Sequence, residues 1–409
     1  THKRGMNAMK KLLPFLLLLA AASPAQAMDF GFDGYADVRL VLPESETAWL
    51  KGGLGKLRYG GGDTKFEFAG AAGQGHVLFM PEIMAVAVVR AEPEQRRFFD
   101  VLEAYLRYRP VSTSAWRWSV KLGAFFPPFS LENSELGWNP YWTLTPSAIN
   151  SWIGDELRTI GGEGTLEWRN EAGTFQFSGA LFTRNDPAGV MIADRGWTMD
   201  DRPTGLFDHL REPDATLIAF GDTPPDSTPI FAEYDNRLGW YAGASWDDAA
   251  QWHVELERYD NRADPSAHED DYFAWHTKFW SAGASYVLDE FTFLAQGMTG
   301  STAIEPFDGF YATTDFGAAY ALVGWERDRW RLALRGDVFN TRNYTTYGAG
   351  QFGENGKALT FAASWFPKDW LRLTGEVLVI DSKRPERAVV SLAPEQTGTQ
   401  TQLSVRIYF

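Results

Sequence analysis

From residue 237 to the last residue, the chain repeats one unit. About ten residues alternate between apolar and polar, a short Asp- or Gly-bearing turn follows, and a second alternating run begins. In LGWYAGASWDDAAQWHVELERY, Leu238, Trp240, Ala242, Ala244 and Trp246 share one parity, and Trp252, Val254 and Leu256 continue it after Asp247-Asp248. Ser245, His253, Glu255 and Glu257 share the other. A period of two puts these sets on opposite faces of a strand. The turns recur near residues 248, 289, 327 and 368, close to forty apart, and the last residue is 409.

The first half keeps a looser form of the beat. In GFDGYADVRLVL, Phe30, Phe32, Ala36, Val38, Leu40 and Leu42 oppose Asp33, Tyr35, Asp37 and Arg39. In VLEAYLRYR, Leu102, Ala104, Leu106 and Tyr108 oppose Glu103, Tyr105, Arg107 and Arg109, before a turn at VSTSA into WRWSVKLGA. GGEGTLEW turns at Arg169-Asn170-Glu171 into TFQFSGALF, and one further turn is placed near Ala72 to Gly75 or at Gly60 to Gly62. Seven short turns with a free strand at each end predict sixteen strands, joined on the other rim by eight longer loops. That is an all-β transmembrane antiparallel barrel, apolar outside and polar within. Closure leaves no unpaired edge in lipid. Trp246 and Trp252, Trp325 and Trp330, and Trp365 and Trp370 flank short turns, the place for an aromatic girdle at the membrane boundary. A propeller shares the forty-residue period but needs four strands per unit, and each unit here holds two.

Lys10-Lys11, the run LLPFLLLLAAA and Ala25-Gln26-Ala27 have the form of a secretory signal peptide, with cleavage expected after Ala27 and the barrel over residues 28–409. Thr1 to Gly5 precede the candidate starts Met6 and Met9. The first 27 residues carry four basic and no acidic side chains, so without them the formal charge falls from −15 to −19. That excess of acid argues against nucleic-acid binding. There is no cysteine. The final run TQTQLSVRIYF alternates to its end at Phe409. It resembles the signal read by the barrel-assembly machinery of Gram-negative outer membranes.

Residues 121–142, KLGAFFPPFSLENSELGWNPYW, carry a second resemblance. Pro128, Phe129, Ser130, Leu131 and Glu132, after a Gly-bearing strand, are similar to the corresponding segment of the phosphate-selective porin O/P family. The resemblance implies a sixteen-stranded porin, commonly a homotrimer, with a third loop folded inward. The residues point to the same segment. From Ser130 to Leu157 there is no Lys or Arg and no clean alternation. Irregular backbone at membrane depth is tolerated only where it is buried in protein or lines water. Residues 130–157 are therefore expected to fold inside and narrow the barrel, presenting Glu132, Glu135, Trp138, Tyr141, Trp142, Asp155 and Glu156.

The polar parity predicts a lumen of mixed sign. Its basic members are Arg39, Arg107, Arg109, Lys121, Arg331, Arg335, Arg372 and Arg406; its acidic members are Asp33, Asp37, Glu103, Glu163, Glu167, Glu255, Glu257, Asp337 and Glu376. Phosphate selection needs cationic rings along a pore, whereas this constriction is acidic, so weak cation preference or polar solutes are expected. The expected function is passive diffusion of small hydrophilic solutes or ions, with no enzyme activity, cofactor or metal. The alternatives are a barrel lipid hydrolase and a closed structural or adhesive barrel. The loop at 259–272 is acidic but has no calcium-loop spacing. The loop at 184–236, with eleven acids against four Arg, is expected in solvent or against outer-membrane lipopolysaccharide. GGLGKLRYGGG lacks nucleotide-loop spacing, and no hydrolase signature occurs.

Overall fold

The computed structural model describes residues 28–220, 225–248, 250–346, 348–349 and 353–409, so the leader predicted over 1–27 lies outside the described residues. One sheet of sixteen long strands closes on itself. The first eight are β1 (Asp29–Glu44), β2 (Lys65–Met80), β3 (Ile83–Ala91), β4 (Phe99–Tyr108), β5 (Trp116–Phe125), β6 (Thr159–Asn170), β7 (Gly173–Thr183) and β8 (Gly239–Asp247). The rest are β9 (Trp252–Asp260), β10 (Lys278–Leu288), β11 (Phe291–Phe307), β12 (Phe310–Arg327), β13 (Trp330–Thr345), β14 (Glu354–Lys368), β15 (Leu371–Lys383) and β16 (Glu395–Tyr408). Neighbours in sequence pair antiparallel, and β16 returns to β1 with Tyr35 opposite Tyr408 and Glu44 opposite Thr399. The sheet therefore closes without a free edge strand, as a sheet in lipid requires. No helix among the described residues is long and apolar enough to cross a membrane.

The seven short connections lie on one rim, and several rest on the turn chemistry the sequence advertises. Asp289 and Asp328 take left-handed φ of 51° and 55°, which suits tight hairpins. The ambiguous first turn falls at neither expected place. Ala72 to Gly75 lies inside β2, Gly60 to Gly62 lies in the first loop, and the chain turns at Pro81-Glu82. The AGAAGQG run is extended because β1 and β3 satisfy its backbone on both sides, not because its side chains alternate.

The other rim carries eight connections, L1 to L8: 45–64, 92–98, 126–158, 184–238, 261–277, 308–309, 346–353 and 384–394. L6 departs from the expected long loop. Strands β11 and β12 run 17 and 18 residues and meet in a two-residue turn, Asp308-Gly309, with Gly309 at φ 81°. The wall is thus tall on this side, while β3 and β9 have nine residues each.

Outward residues such as Phe32, Phe66, Leu122, Leu181, Leu256, Val338, Leu359 and Leu403 are exposed. Their neighbours on the other parity are mostly covered. Leu102 is the exception to the predicted parity. The register shifts at Val88/Val89 opposite it, and this bulge turns Leu102 inward against Val86, Val88 and Phe126. Of the expected girdle, Trp252, Trp330, Trp365 and Trp370 stand exposed beside short turns, Trp246 and Trp325 are partly covered, and Trp330 stacks on Trp365 at 5.9 Å. Trp116 and Trp168, not singled out from the sequence, stack at 5.8 Å on the same rim.

Candidate functional site in the barrel lumen

L3 leaves β5 at Phe125 and turns into the barrel. Its helix α1 (Ala148–Glu156) starts at Ser147, whose hydroxyl accepts from the Asn150 N–H at 3.3 Å, and every helical residue is buried. Glu132 fastens the entry to this helix, accepting from the Ser147 N–H at 2.5 Å and Asn150 Nδ2 at 3.0 Å while pairing with Arg335 at 3.1 Å. From the far wall Glu376 accepts from the Leu144 N–H at 2.6 Å and the Thr145 hydroxyl at 2.7 Å. Trp142 reaches β12 because position 324 is glycine: a Cβ there would lie 2.5 Å from the indole. Trp138 stacks on Phe126 at 4.1 Å and donates from Nε1 to the Asn150 carbonyl.

The charges expected at a constriction are mostly spent on partners. Glu132 meets Arg335, which also pairs with Asp337 at 2.9 Å. Glu135 meets Arg331, Arg372 and Arg406, and Asp155 meets Arg195 at 2.5 Å. Glu156 accepts from Trp152 Nε1 and the Gly189 N–H. Tyr141 lies under the Arg331 guanidinium at 3.4 Å and donates to Glu326. Four of these carboxylates thus sit inside hydrogen-bonded or ion-paired settings, so the segment's acid count does not translate into a free negative field.

The remaining lumen residues divide between two walls. Along β13, β15, β16 and β1, Arg335, Arg372, Arg406, Arg39, Asp37, Asp337 and Glu376 are buried beneath inward loops. Along β4 to β9, Arg107, Arg109, Lys121, Glu103, Glu167 and Glu255 remain partly exposed, and Glu163 and Glu257 are buried. Lys121 pairs with Glu163 at 3.1 Å and Arg109 with Glu167 at 3.4 Å. Asp33 lies near the short-turn rim and is exposed. This second wall lines a polar, partly exposed space on the short-turn side.

Above that space the lumen is crossed by aromatic rings. Phe129 and Trp152 of L3 contact Tyr241 (5.2 Å), Phe279 (5.6 and 5.5 Å) and Phe316 (5.1 Å), and Tyr259 stacks on Phe279 and Phe182 at 4.8 and 5.1 Å. Tyr241, Tyr259 and Phe279 sit at inward positions near the loop ends of their strands, and Phe316 lies level with Phe279 within the longer β12. The sequence reading missed them because aromatic residues near strand ends look like belt residues. Their parity, shared with Glu257 and Ser281, was the available signal.

L1 and L4 fill the barrel above this layer. L4 was expected in solvent or against lipopolysaccharide, yet Asp186, Asp200, Asp201, Asp208 and Glu212 are buried. Asp201 pairs with Arg39 at 2.6 Å and Arg58 at 2.8 Å, and Trp197 Nε1 donates to the Asn340 carbonyl. Lys56 of L1 pairs with Glu354 at 2.6 Å. At the base of L4, where it leaves β7 and returns to β8, Asp186, Glu233 and Asp235 bring carboxylate oxygens within 4.8 Å of one another. Burial first, then the neighbouring carboxylates, push Asp186 up to about 7. The loop at 259–272 stays largely outside, with His268 exposed. His253 contacts Glu255 at 3.2 Å and His276 contacts Asp260 at 3.1 Å; among the described residues no Ser or Thr hydroxyl is hydrogen-bonded to either ring.

A closed sixteen-stranded antiparallel barrel with an apolar outer face, a polar inner face and an inward third loop is the fold of Gram-negative outer-membrane porins. Solved structures agree. The chain is similar to in-vitro folded OmpT, an outer membrane protein of Vibrio cholerae, at 10% identity and a TM-score of 0.54, covering 95% of this chain and 100% of that one. It is similar to the outer membrane channel DcaP of Acinetobacter baumannii at 9% identity and 0.53, covering 95% and 100%. It is also similar to the anion-selective porin of Comamonas acidovorans at 12% identity and 0.50, covering 93% and 100%. At such identities the likeness establishes the fold. No family model matches the chain, and no curated protein does.

Proposed function

We propose that the chain is a passive channel of the Gram-negative outer membrane for small hydrophilic solutes or ions, acting without enzyme chemistry, with L3 as its constriction. The carrying observation is the inward wall of β4 to β9, where Arg107, Arg109, Lys121, Glu103, Glu167 and Glu255 keep contact with water inside a lipid-facing barrel. Charged side chains at that depth are costly unless they line an aqueous path. A homotrimer is part of the proposal, supported by the trimer form of the similar Vibrio cholerae OmpT. So are export through a cleaved leader, insertion by the barrel-assembly machinery reading Phe409, and contact with outer-membrane lipid and lipopolysaccharide.

Membership of the phosphate-selective O/P family rests on Pro128 to Glu132. The lumen supports a milder selectivity, since buried arginines such as Arg39, Arg335 and Arg372 each have a carboxylate partner. The aromatic layer of Phe129, Trp152, Tyr241 and Phe279 favours a second reading, a closed structural barrel. Swelling of liposomes holding the folded protein separates the two. Swelling rates that fall steeply from pentoses to trisaccharides support a channel; a folded protein that admits no sugar and no salt supports the closed barrel.

A further inference from the structure

Three arginines converge on one carboxylate just inside the short-turn rim. Arg331 of β13, Arg372 of β15 and Arg406 of β16 place guanidinium nitrogens 3.4, 3.2 and 3.7 Å from the Glu135 carboxylate. Arg331 also pairs with Glu326 at 3.4 Å, and Arg406 with Asp37 at 2.8 Å, an acid it shares with Arg39. Among the described residues, Glu135 is the sole carboxylate paired with Arg372. Two cavities open beside the cluster. One of about 520 Å³ is lined by Glu326, Asp328, Arg329, Arg331, Phe366 and Asp369, and one of about 300 Å³ has Tyr35, Glu135, Phe366, Asp369 and Arg406 in its lining.

Glu135 differs from the other L3 acids. Glu132, Asp155 and Glu156 are fully enclosed, whereas Glu135 is 20% exposed and covers arginines that are themselves at most 6% exposed. It stands at the start of a tight local hairpin closed by its own N–H on the Asn139 carbonyl, with Gly137 and Trp138 at positive φ. We propose that the triad is a binding site for small carboxylate anions arriving from the periplasmic side, and that Glu135 occupies it as a tethered internal ligand. Planar guanidinium groups match a carboxylate in fork geometry, which is why the loop's own acid fits. An incoming carboxylate must displace Glu135, so the site in the native protein is vacant for only a fraction of the time, and its apparent affinity falls by that fraction. Displacement would free the tip of the loop that narrows the barrel.

The test uses refolded full-length protein in detergent and isothermal titration with sodium succinate, which needs no conduction and so stands apart from the channel reading. Glu135→Gln, whose folding is checked by heat-modifiable mobility, is expected to bind succinate about tenfold more tightly than the native chain, as for a site vacant about a tenth of the time. Adding Arg372→Gln to it is expected to abolish that gain. Equal affinities for Glu135→Gln and the native chain, or no binding to either, would overturn the proposal. Inorganic phosphate binding more tightly than succinate would overturn the carboxylate assignment.

Discussion

Arg335 is fully buried between Glu132 of L3 and Asp337 of its own strand, and it also donates to the Thr145 and Pro146 carbonyls. Removing one member of such a cluster leaves uncompensated charge inside. Arg335→Ala is expected to destabilise the barrel by about 3–5 kcal/mol in reversible denaturant unfolding. A loss below about 1 kcal/mol would mean that water already compensates the two acids. Phe409 shows a second single-residue dependence. Its backbone exchanges hydrogen bonds with Gly34 at 2.8 and 2.9 Å, and its ring lies where a Cβ on residue 34 would be. Gly34→Val should therefore slow closure of the β1–β16 seam, seen as a longer-lived unfolded band during refolding; an unchanged rate would show that the ring simply moves aside. Asp186 supplies a pH dependence. Its carboxyl is pushed up to about 7 from 3.8, so its contribution to stability is full below about pH 4 and is lost as pH rises through 7. Protection factors in L4, taken relative to the intrinsic base-catalysed exchange rate at each pH, should be lower at pH 8 than at pH 5.5, and the reverse order would contradict the assignment.

Of the loops, L3 was legible and L4 was not. L3 has no Lys or Arg and no alternation over 130–157, and irregular backbone at membrane depth has few places to go. L4 reads as a solvated acidic loop, because composition cannot show that Asp201 meets Arg39 and Arg58 more than 140 residues away. The strand turns marked by Asp stood out, while the Gly- and Ala-rich β2 concealed its own end at Pro81. L3 and L4 also hold each other, through Arg195 on Asp155 and the Ser151 hydroxyl on the Asp200 carbonyl. Excising residues 187–204 should therefore raise proteolytic cleavage within 130–157 several-fold in folded barrels. Unchanged protection of L3 would show that its contacts with the wall suffice.

Across the whole molecule, strand number and closure followed from counting beats, because period-two alternation and seven short turns are local signals that a barrel must obey. The interior did not follow. Whether a lumen is open depends on which side chains meet across it, and Phe129 and Trp152 of L3, Tyr241 of β8 and Phe279 of β10 come from three separate stretches of chain. Inward loops cover the wall of β13, β15, β16 and β1, while polar side chains of the β4 to β9 wall stay partly exposed; on the channel proposed above, L3 and L4 would be what restricts passage. Single-channel recording in planar bilayers, comparing the native chain with the 187–204 excision at equal folded yield, tests this directly. Small or infrequent native steps that grow several-fold on excision are the expected result. Large, stable native steps left unchanged by the excision would show that the inward loops do not limit the channel.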